Sequence, residues 1–419
     1  MPGLRHISHN DMRNRNLALV VNLLHQAAPI SRAEIAQRTG INKATTSAIV
    51  RELVRRRIVV ETGVRANSGD VGHPSIDLKI NPDAGRVIGV EIRADCITGV
   101  VADLSPTILC RYSEDIPIHE GKEEILDRTR RIIRRTCDEA QGSKLPVLGL
   151  GLGLPGLVDI KKKILLSAPD LGLHDIPLDA VLGSSDGIPL FVGNEAHFSA
   201  LGESYFGELR ASETSLYLSI GMSISGGILV NENVMPGASG LAGNFGHMVV
   251  DPAGELCPCG IQGCWDTLAS QKALYRRIEL QAANGGPSLV PTSGRQDLRS
   301  LNLALILQAA AAGDRLVLDA LHETGRWLGR GIANLINVIS PEYLVLGGPL
   351  TAAYPYLQDS IDQEISRRTL RWHREGCKIT LARYRDDACL IGAVATIFWN
   401  VLNDPETARR TLGQRLTLR

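Results

Sequence analysis

From Arg86 onward the chain alternates short runs of Val, Ile, Leu and Gly with longer stretches whose apolar residues recur at helical spacing. Runs that are apolar on both sides are satisfied in sheets covered by helices on both faces, so this alternation restricts the body of the chain to an α/β architecture. Val87 to Val90, Cys96 to Asp103, Val147 to Leu152 and Leu190 to Val192 read as one series of buried strands, with Glu123 to Glu139 a charged amphipathic helix between them. A second series follows, with Ser215 to Ser219, Gly227 to Val230 and Tyr343 to Leu346 as strands and a long helix around Val317 to Ile339. Two α/β lobes fit this order, and no short-period repeat accompanies them. The 42 glycines suit many tight connections, and 419 residues suffice for two or three packed domains.

Before Arg86 the pattern is different. Leu17, Val20, Val21 and Leu24 stand at i, i+3, i+4 and i+7, which gives a first helix one apolar face. Ser31-Arg-Ala-Glu34 is a capping-box signature for a second helix that stops at Gly40. Asn42 can cap a third helix reaching about Arg57, and the tight Thr39-Gly40-Ile41 turn gives the spacing of a helix-turn-helix. Ile58 to Glu61 and Ile76 to Ile80 read as two strands of a wing, joined by a loop rich in Gly, Asn and Ser that contains Arg65 and His73.

If Thr46, Ile49, Val50, Leu53 and Val54 of the third helix face the core, then Ala44, Thr45, Ala48, Arg51 and Arg55 lie on the opposite side. Two alanines let such a helix enter a major groove closely, where Thr45 can hydrogen-bond a base edge. Lys43, Arg51 and Arg55 would meet phosphates, and Arg32 would make another backbone contact. The same residues also describe a solvated charged helix that binds protein or nothing, but spacing, caps, wing and charge agree on double-stranded DNA.

Charge supports that division. The chain carries 45 basic and 45 acidic residues, yet residues 1 to 84 hold 12 Lys or Arg against 7 Asp or Glu. A net +5 there leaves −5 for the remaining 335 residues, the pattern of a small basic module on an acidic body. Disordered and fibrous classes are excluded by 44% hydrophobic and 21% charged residues. No stretch reaches the about 18 uncharged apolar residues of a membrane span. Leu17 to Leu24 is short and broken by Asn22, so no membrane insertion and a cytoplasmic location are expected.

Of eight cysteines, three cluster in Cys257-Pro-Cys259-Gly-Ile-Gln-Gly-Cys264, ten residues after His247. Three thiolates and an imidazole make the closed tetrahedral shell of a structural zinc, with Gly260 and Gly263 permitting the turns. The alternative is buried cysteines close by chance, which three within eight residues disfavours. Near this knot Asn194, Glu195, Asn244 and Asp266 each suit a turn or cap; together they can line a pocket for a hydroxylated ligand.

The run Gly237-x-x-Gly240-x-x-Gly243-Asn244-Phe-Gly246-His247, followed by Cys257-x-Cys259-Gly-x-x-Gly263-Cys264-Trp-Asp266-x-x-Ala269-Ser270, strongly resembles the signature of the ROK family of repressors and sugar kinases. Ile30 to Ala36 and Gly72-His73-Pro74 resemble its repressor branch, and Leu154-Pro155-Gly156, Asn334 to Pro341 and Leu346-Gly347-Gly348 are further matches. The resemblance implies a two-lobed actin-like sugar kinase (ribonuclease H-like) fold behind the winged helix-turn-helix, and a homodimer or homotetramer. It places Gly156, Asn194, Glu195, Asn244, His247 and Asp266 where the family holds its sugar. His247 would use its free ring edge for that, with its other nitrogen on zinc.

Family kinases carry an Asp-x-Gly-Gly-Thr-like phosphate loop after the first strand, where this chain reads Glu91-Ile-Arg93-Ala94-Asp95. Side chains there prevent the close backbone approach that cradles a triphosphate. Glu195 stands at the kinase general-base position in place of Asp, one methylene longer. Asn244 and Asp266 replace two glutamates that grip sugar hydroxyls. These departures imply a regulator without kinase activity. The expected protein is a DNA-binding transcriptional regulator, of repressor type, that senses a sugar or sugar derivative of carbohydrate metabolism. It would comprise a reader at 1–84, a small lobe at 85–195 completed by part of 385–419, and a large lobe with the zinc knot at 196–384. An active sugar kinase with an appended DNA-binding domain and a regulator controlled by a protein partner are the other two readings.

Overall fold

The computed structural model describes residues 9–65, 75–117, 121–182, 187–209, 212–237, 240–284, 287–290 and 301–403. The N-terminal head contains α1 (His9–Ala27), β1 (Ile30–Ser31), α2 (Arg32–Thr39), α3 (Lys43–Arg55), β2 (Val59–Arg65) and β3 (Ser75–Ile80). The capping box forms as expected: Ser31 Oγ accepts from Glu34 N at 3.3 Å, and Glu34 Oε2 accepts from Ser31 N at 2.9 Å. Gly40 ends α2 in the left-handed region at φ 71°, and Asn42 Oδ1 accepts from Thr45 N at 2.8 Å to start α3.

Three details differ from the sequence expectation. α3 stops at Arg55, because Arg57 takes φ 60° and turns the chain into β2. The wing is three-stranded in the order β1-β3-β2, since the two residues before α2 pair with β3. Val54 is only half-buried, while Thr46, Ile49, Val50 and Leu53 are in the core. The Gly72-His73-Pro74 match lies outside the described residues.

The body holds two five-stranded sheets of one topology. The first comprises β4 (Arg86–Ile92), β5 (Cys96–Ala102), β6 (Ile108–Asp115), β7 (Val147–Leu154) and β11 (Leu190–Asn194), in the order β11-β7-β4-β5-β6, with α4 (Lys122–Gly142) packed on it. Between β7 and β11 lie a small sheet of β8 (Leu157–Asp159), β9 (Ile164–Ala168) and β10 (Leu173–Pro177), and the short α5 (Leu178–Leu182). α6 (Glu195–Tyr205) then leads to the second sheet. That sheet comprises β12 (Thr214–Ile220), β13 (Ile224–Val230), β14 (Asn233–Val234), β15 (Tyr343–Gly347) and β16 (Lys378–Leu381), ordered β14-β13-β12-β15-β16. In each sheet the first two strands are antiparallel, and the later pair adds in parallel on the other side of the first.

Between β14 and β15 stand α7 (Asp266–Ala269), α8 (Gln271–Ala283), α9 (Leu303–Ala311) and the long α10 (Arg315–Ile339); α11 (Tyr354–Arg368) and α12 (Arg371–Gly376) follow β15. α10 and α11 meet closely at Gly325 and Gly329, where a Cβ would stand 2.8 and 2.7 Å from backbone oxygens of α11. The last described helix, α13 (Ala388–Asn403), returns to the first sheet and packs on β4, β7 and α6. Gly151 of β7 makes room for it: a Cβ there would stand 2.6 Å from Ala393 Cβ. The core of the head is continuous with this region. Val20, Leu24, Val50 and Leu78 share one apolar cluster with Val87, Leu148, Val394 and Phe398.

Candidate functional site: an inter-lobe cleft, a cysteine-histidine knot and a basic helix

A cleft of about 260 Å³ opens between the two sheets. Its first wall comes from Pro155 and Gly156 after β7, Ala168 to Asp170 after β9, and Asn194 and Glu195 at the β11–α6 junction; its second comes from Ser223 to Ser225, Asn244, His247, Cys257 to Cys259, Asp266 and α8. All six residues expected to hold a sugar therefore meet in one place. Their free atoms differ. Asn194 donates to Gly156 O at 2.8 Å and accepts from Ala196 N at 2.8 Å, so its amide builds the wall and caps α6. Asn244 Nδ2 is engaged with Leu241 O at 2.6 Å, and Asp266 Oδ1 accepts from Ile224 N at 2.6 Å. Glu195 Oε1 accepts a 3.4 Å hydrogen bond from Ser225 Oγ. One oxygen each of Asn244, Asp266 and Glu195 remains to accept from hydroxyl groups.

Burial raises the cleft carboxyls. Glu195 is pushed up to about 7 by desolvation, against the pull of the Arg93 guanidinium, and Asp266 is likewise pushed up to about 7 against its bond from Ile224 N. Glu91, buried on β4 behind Glu195, reaches about 8 for the same reason; Glu195 and Asp386 reinforce the effect and Arg93 opposes it. Arg93 turns to Asp95 at 3.5 Å and to Cys96 Sγ at 3.1 Å. The turn from Glu91 to Asp95 thus carries an ion pair of its own at the place where a phosphate loop would need bare backbone.

Sequence reasoning missed four residues of this site. Asp170 and Lys272 pair at 3.0 Å across the cleft mouth, from the first lobe to α8. Ser225 holds Glu195, and His197 Nε2 lies 2.7 Å from Ala242 O beneath the Gly243–Asn244 turn. A His three residues after Asn194, in the first turn of the helix that Asn194 caps, was the available signal.

His247, Cys257, Cys259 and Cys264 converge, with all four ligand atoms within 4.8 Å of one another. Cys259 Sγ lies 3.6 Å from Cys264 Sγ, and Cys257 Sγ lies 3.8 Å from His247 Nδ1. A tetrahedral ion bound to sulfur at about 2.3 Å has edges of about 3.8 Å, so the group fits a metal ion. His247 turns Nδ1 to the cysteines, which leaves Nε2 for the cleft. Trp265, next to Cys264, is fully buried, donates to Trp327 O at 2.8 Å, and fills the place on α10 that Gly331 leaves open. The knot is thereby fastened to the second lobe.

On the head, Lys43, Ala44, Ala48, Arg51 and Arg55 are exposed and Thr45 is half-buried, all on the side of α3 away from the core. Lys43 and Arg51 have no acidic partner among the described residues. Arg55 is held by Glu52 at 2.8 Å and Arg32 by Glu61 at 2.7 Å, so these two would have to exchange partners to meet a phosphate.

The ROK family model matches residues 87–398, and the MarR family model matches residues 15–67. The xylose repressor of Bacillus subtilis is 30% identical over 356 residues, 84% of this chain and 87% of its own. The DNA-binding transcriptional dual regulator NagC of Escherichia coli is 29% identical over 403 residues, 96% of this chain and 97% of its own. Among solved structures, a ROK family transcriptional regulator described as a homologue of the E. coli MLC protein superposes with a TM-score of 0.76 at 26% identity, covering 95% of this chain and 99% of that one. A ROK family glucokinase from Streptomyces griseus, in complex with glucose and AMPPNP, gives 0.66 at 29% identity, covering 74% and 99%. A winged helix-turn-helix head on a two-lobed sugar kinase fold, with its Cys₃His knot at the cleft, places the chain in the ROK family.

Proposed function

We propose that the protein is a transcriptional repressor whose head binds double-stranded DNA and whose cleft takes a sugar or sugar derivative as effector. One observation carries this reading: an unpartnered cationic helix face and a cleft rich in free acceptor oxygens belong to one continuous body. Lys43, Ala44, Thr45, Ala48 and Arg51 form the reading face, with Arg32 and Arg55 joining by leaving Glu61 and Glu52. Gly156, Asn194, Glu195, Asn244, His247 and Asp266 form the effector site. Zinc at His247, Cys257, Cys259 and Cys264 holds the cleft wall in shape; the shell is closed, so its contribution is structural. Two copies pair so that their heads meet two half-sites, and effector binding changes the lobe angle and the spacing of the heads. Domain extents of 1–84, 85–195 with part of 385–419, and 196–384 accompany this reading.

Kinase activity is absent in this proposal. The Arg93–Asp95 pair and the side chains at Glu91 and Ile92 stand where triphosphate would need backbone donors. The similarity to a glucokinase keeps the enzymatic reading testable, because Glu195 could still accept a proton. Incubation of the protein with ATP and a panel of hexoses and amino sugars is expected to yield no sugar phosphate; turnover of any of them overturns this part.

Genome-wide mapping of bound DNA, followed by gel shifts with and without those sugars, tests the main reading. The expected outcome is a small set of sites beside genes of carbohydrate metabolism, released by one sugar. Absence of specific sites, or an affinity unchanged in Thr45→Ala/Arg51→Ala, rejects the proposed reading face.

A further inference from the structure

Val338 and Trp372 are the two most exposed large apolar side chains among the described residues, at 82% and 78%, and Leu370 is 58% exposed. All three stand at one corner of the second lobe, where α10 ends and the chain turns from α11 into α12. Asn337 fixes that corner: its Nδ2 donates to Arg368 O at 2.8 Å, and its Oδ1 accepts from Leu370 N at 3.0 Å. Val338 follows Asn337 directly, and Trp372 is the second residue of α12. The Arg374 guanidinium ties α12 back to α11, donating to Ser366 O at 3.1 Å and to Ser366 Oγ at 2.8 Å. A braced backbone therefore holds the apolar side chains outward. With so much of their surface in water they protrude, and they do not line a groove.

The same corner concentrates positive charge. Residues 367–378 hold five Lys or Arg against one Glu, a net +4 within twelve residues of a body whose sum is −5. Arg368 pairs with Glu364 at 2.6 Å, a carboxylate that Arg330 also contacts at 3.3 Å, and Arg371 pairs with Glu375 at 2.8 Å. Arg367, Arg374 and Lys378 are exposed and have no acidic partner among the described residues.

An exposed apolar patch set among cations marks a contact surface, and its chemistry restricts what it contacts. A second copy would set +4 against +4, which like-charge repulsion opposes. Duplex DNA would satisfy the cations but leave Val338, Leu370 and Trp372 in water, because protein–DNA interfaces are polar. A folded protein would need acidic groups around a pocket shaped for three protruding side chains. An anionic bilayer supplies both without a preformed shape: headgroup phosphates for the cations, and an interfacial layer that takes Trp and Leu. The remainder of the body is acidic and is repelled by such a surface, which turns the corner toward it. No described helix is long and apolar enough to cross a membrane, so the contact is peripheral.

We propose that the α11–α12 corner, with the end of α10, is a docking surface for an anionic lipid bilayer. Arg367, Arg374 and Lys378 meet headgroup phosphates, and Trp372 and Leu370 enter the interfacial layer with Val338 beside them. The surface uses no residue of the cleft or of the reading face of α3, so it stands independently of the effector and the operator.

Co-sedimentation of the full-length protein with vesicles of phosphatidylglycerol and phosphatidylcholine in equal parts, against vesicles of phosphatidylcholine alone, tests this. Binding to the anionic vesicles is expected to be at least tenfold stronger and to weaken with added salt. Trp372→Ser/Leu370→Ser and Arg367→Gln/Lys378→Gln change exposed side chains. Each double variant is expected to lower binding at least fivefold while keeping the wild-type melting temperature. Wild-type binding no stronger to anionic than to neutral vesicles overturns the proposal. Full retention of binding by either double variant also overturns it, since the cationic head would then carry the contact. Inorganic phosphate at matched ionic strength is expected to leave the protein on the vesicles, and complete release by it would refute the lipid assignment. If the wild type ignores the vesicles but self-associates in sedimentation velocity, and Trp372→Ser/Leu370→Ser abolishes that association, the corner belongs to a second copy and the proposal fails.

Discussion

Glu91 and Glu195 are the residues at which burial acts most directly on chemistry. Both carboxyls are raised by desolvation, to about 8 and about 7. Between about pH 4.5 and pH 8 the folded protein therefore holds more protons than the unfolded chain, so these groups favour folding at low pH and that contribution is lost as pH rises through 7 and 8. Glu91→Gln is expected to raise the melting temperature at pH 8 and to change it little at pH 5, since each tenfold change in proton affinity is worth about 1.4 kcal/mol. Differential scanning calorimetry at the two pH values checks it; an equal change at both refutes the assignment. On the head, Arg51→Ala is expected to cost about 1 kcal/mol or more of DNA affinity and to reduce its salt dependence by one ion. Arg32→Ala should cost less, because removing Arg32 also frees DNA binding from breaking the Glu61 pair. The identity of the cleft residues was legible in the motif, but their free atoms were not. Asn194 reads as a sugar ligand in sequence, and in the fold both ends of its amide serve the wall.

At the scale of elements, caps and turns were legible because their signals are local. Ser31 with Glu34, Gly40 and Asn42 each act on backbone groups within four residues, and each occupies its expected place. Ser31→Ala should destabilise the head by about 1 kcal/mol, seen as lower protection of α2 in hydrogen exchange. α13 was not legible. Its sequence from Ala388 to Val401 is apolar almost all round, because sheet, α6 and head cover different sides of it, and a helix buried on every side has no stripe to detect. The tight α6–α13 contact predicts that Gly392→Ala destabilises the protein by about 2–3 kcal/mol, whereas exposed Gly376, with open space around its Cβ position, tolerates Ala. Chemical denaturation of the two variants distinguishes them; equal stability would contradict the packing.

For the whole molecule, the knot, the cleft and the head form one chain of contacts. The knot supplies His247 and the Cys257 to Cys259 segment to the cleft wall and is fastened through Trp265 to α10. Removal of the metal should release one zinc per chain, lower the melting temperature and abolish any sugar-induced thermal shift, with the head still folded by far-ultraviolet criteria. Metal analysis and thermal shift after chelation test this; a full sugar response in metal-free protein refutes the structural role. The uneven charge, +5 on residues 1–84 and −5 on the rest, fits a head that approaches phosphates and a body that they repel. No described helix is long and apolar enough to cross a membrane.

By itself the sequence determined what depends on near neighbours and on short motifs: the capped helices of the head, the alternation that demands two covered sheets, and the cysteines and histidine that suit one ion. Only the tertiary structure decided what depends on residues far apart in the chain. It set which lone pairs of the cleft residues stay free, that Lys272 meets Asp170 across the cleft mouth, and that α13 joins the core of the head to the first lobe. Hydrogen-bond satisfaction and burial are properties of the assembled environment, and no local pattern encodes which distant group will reach a given atom first.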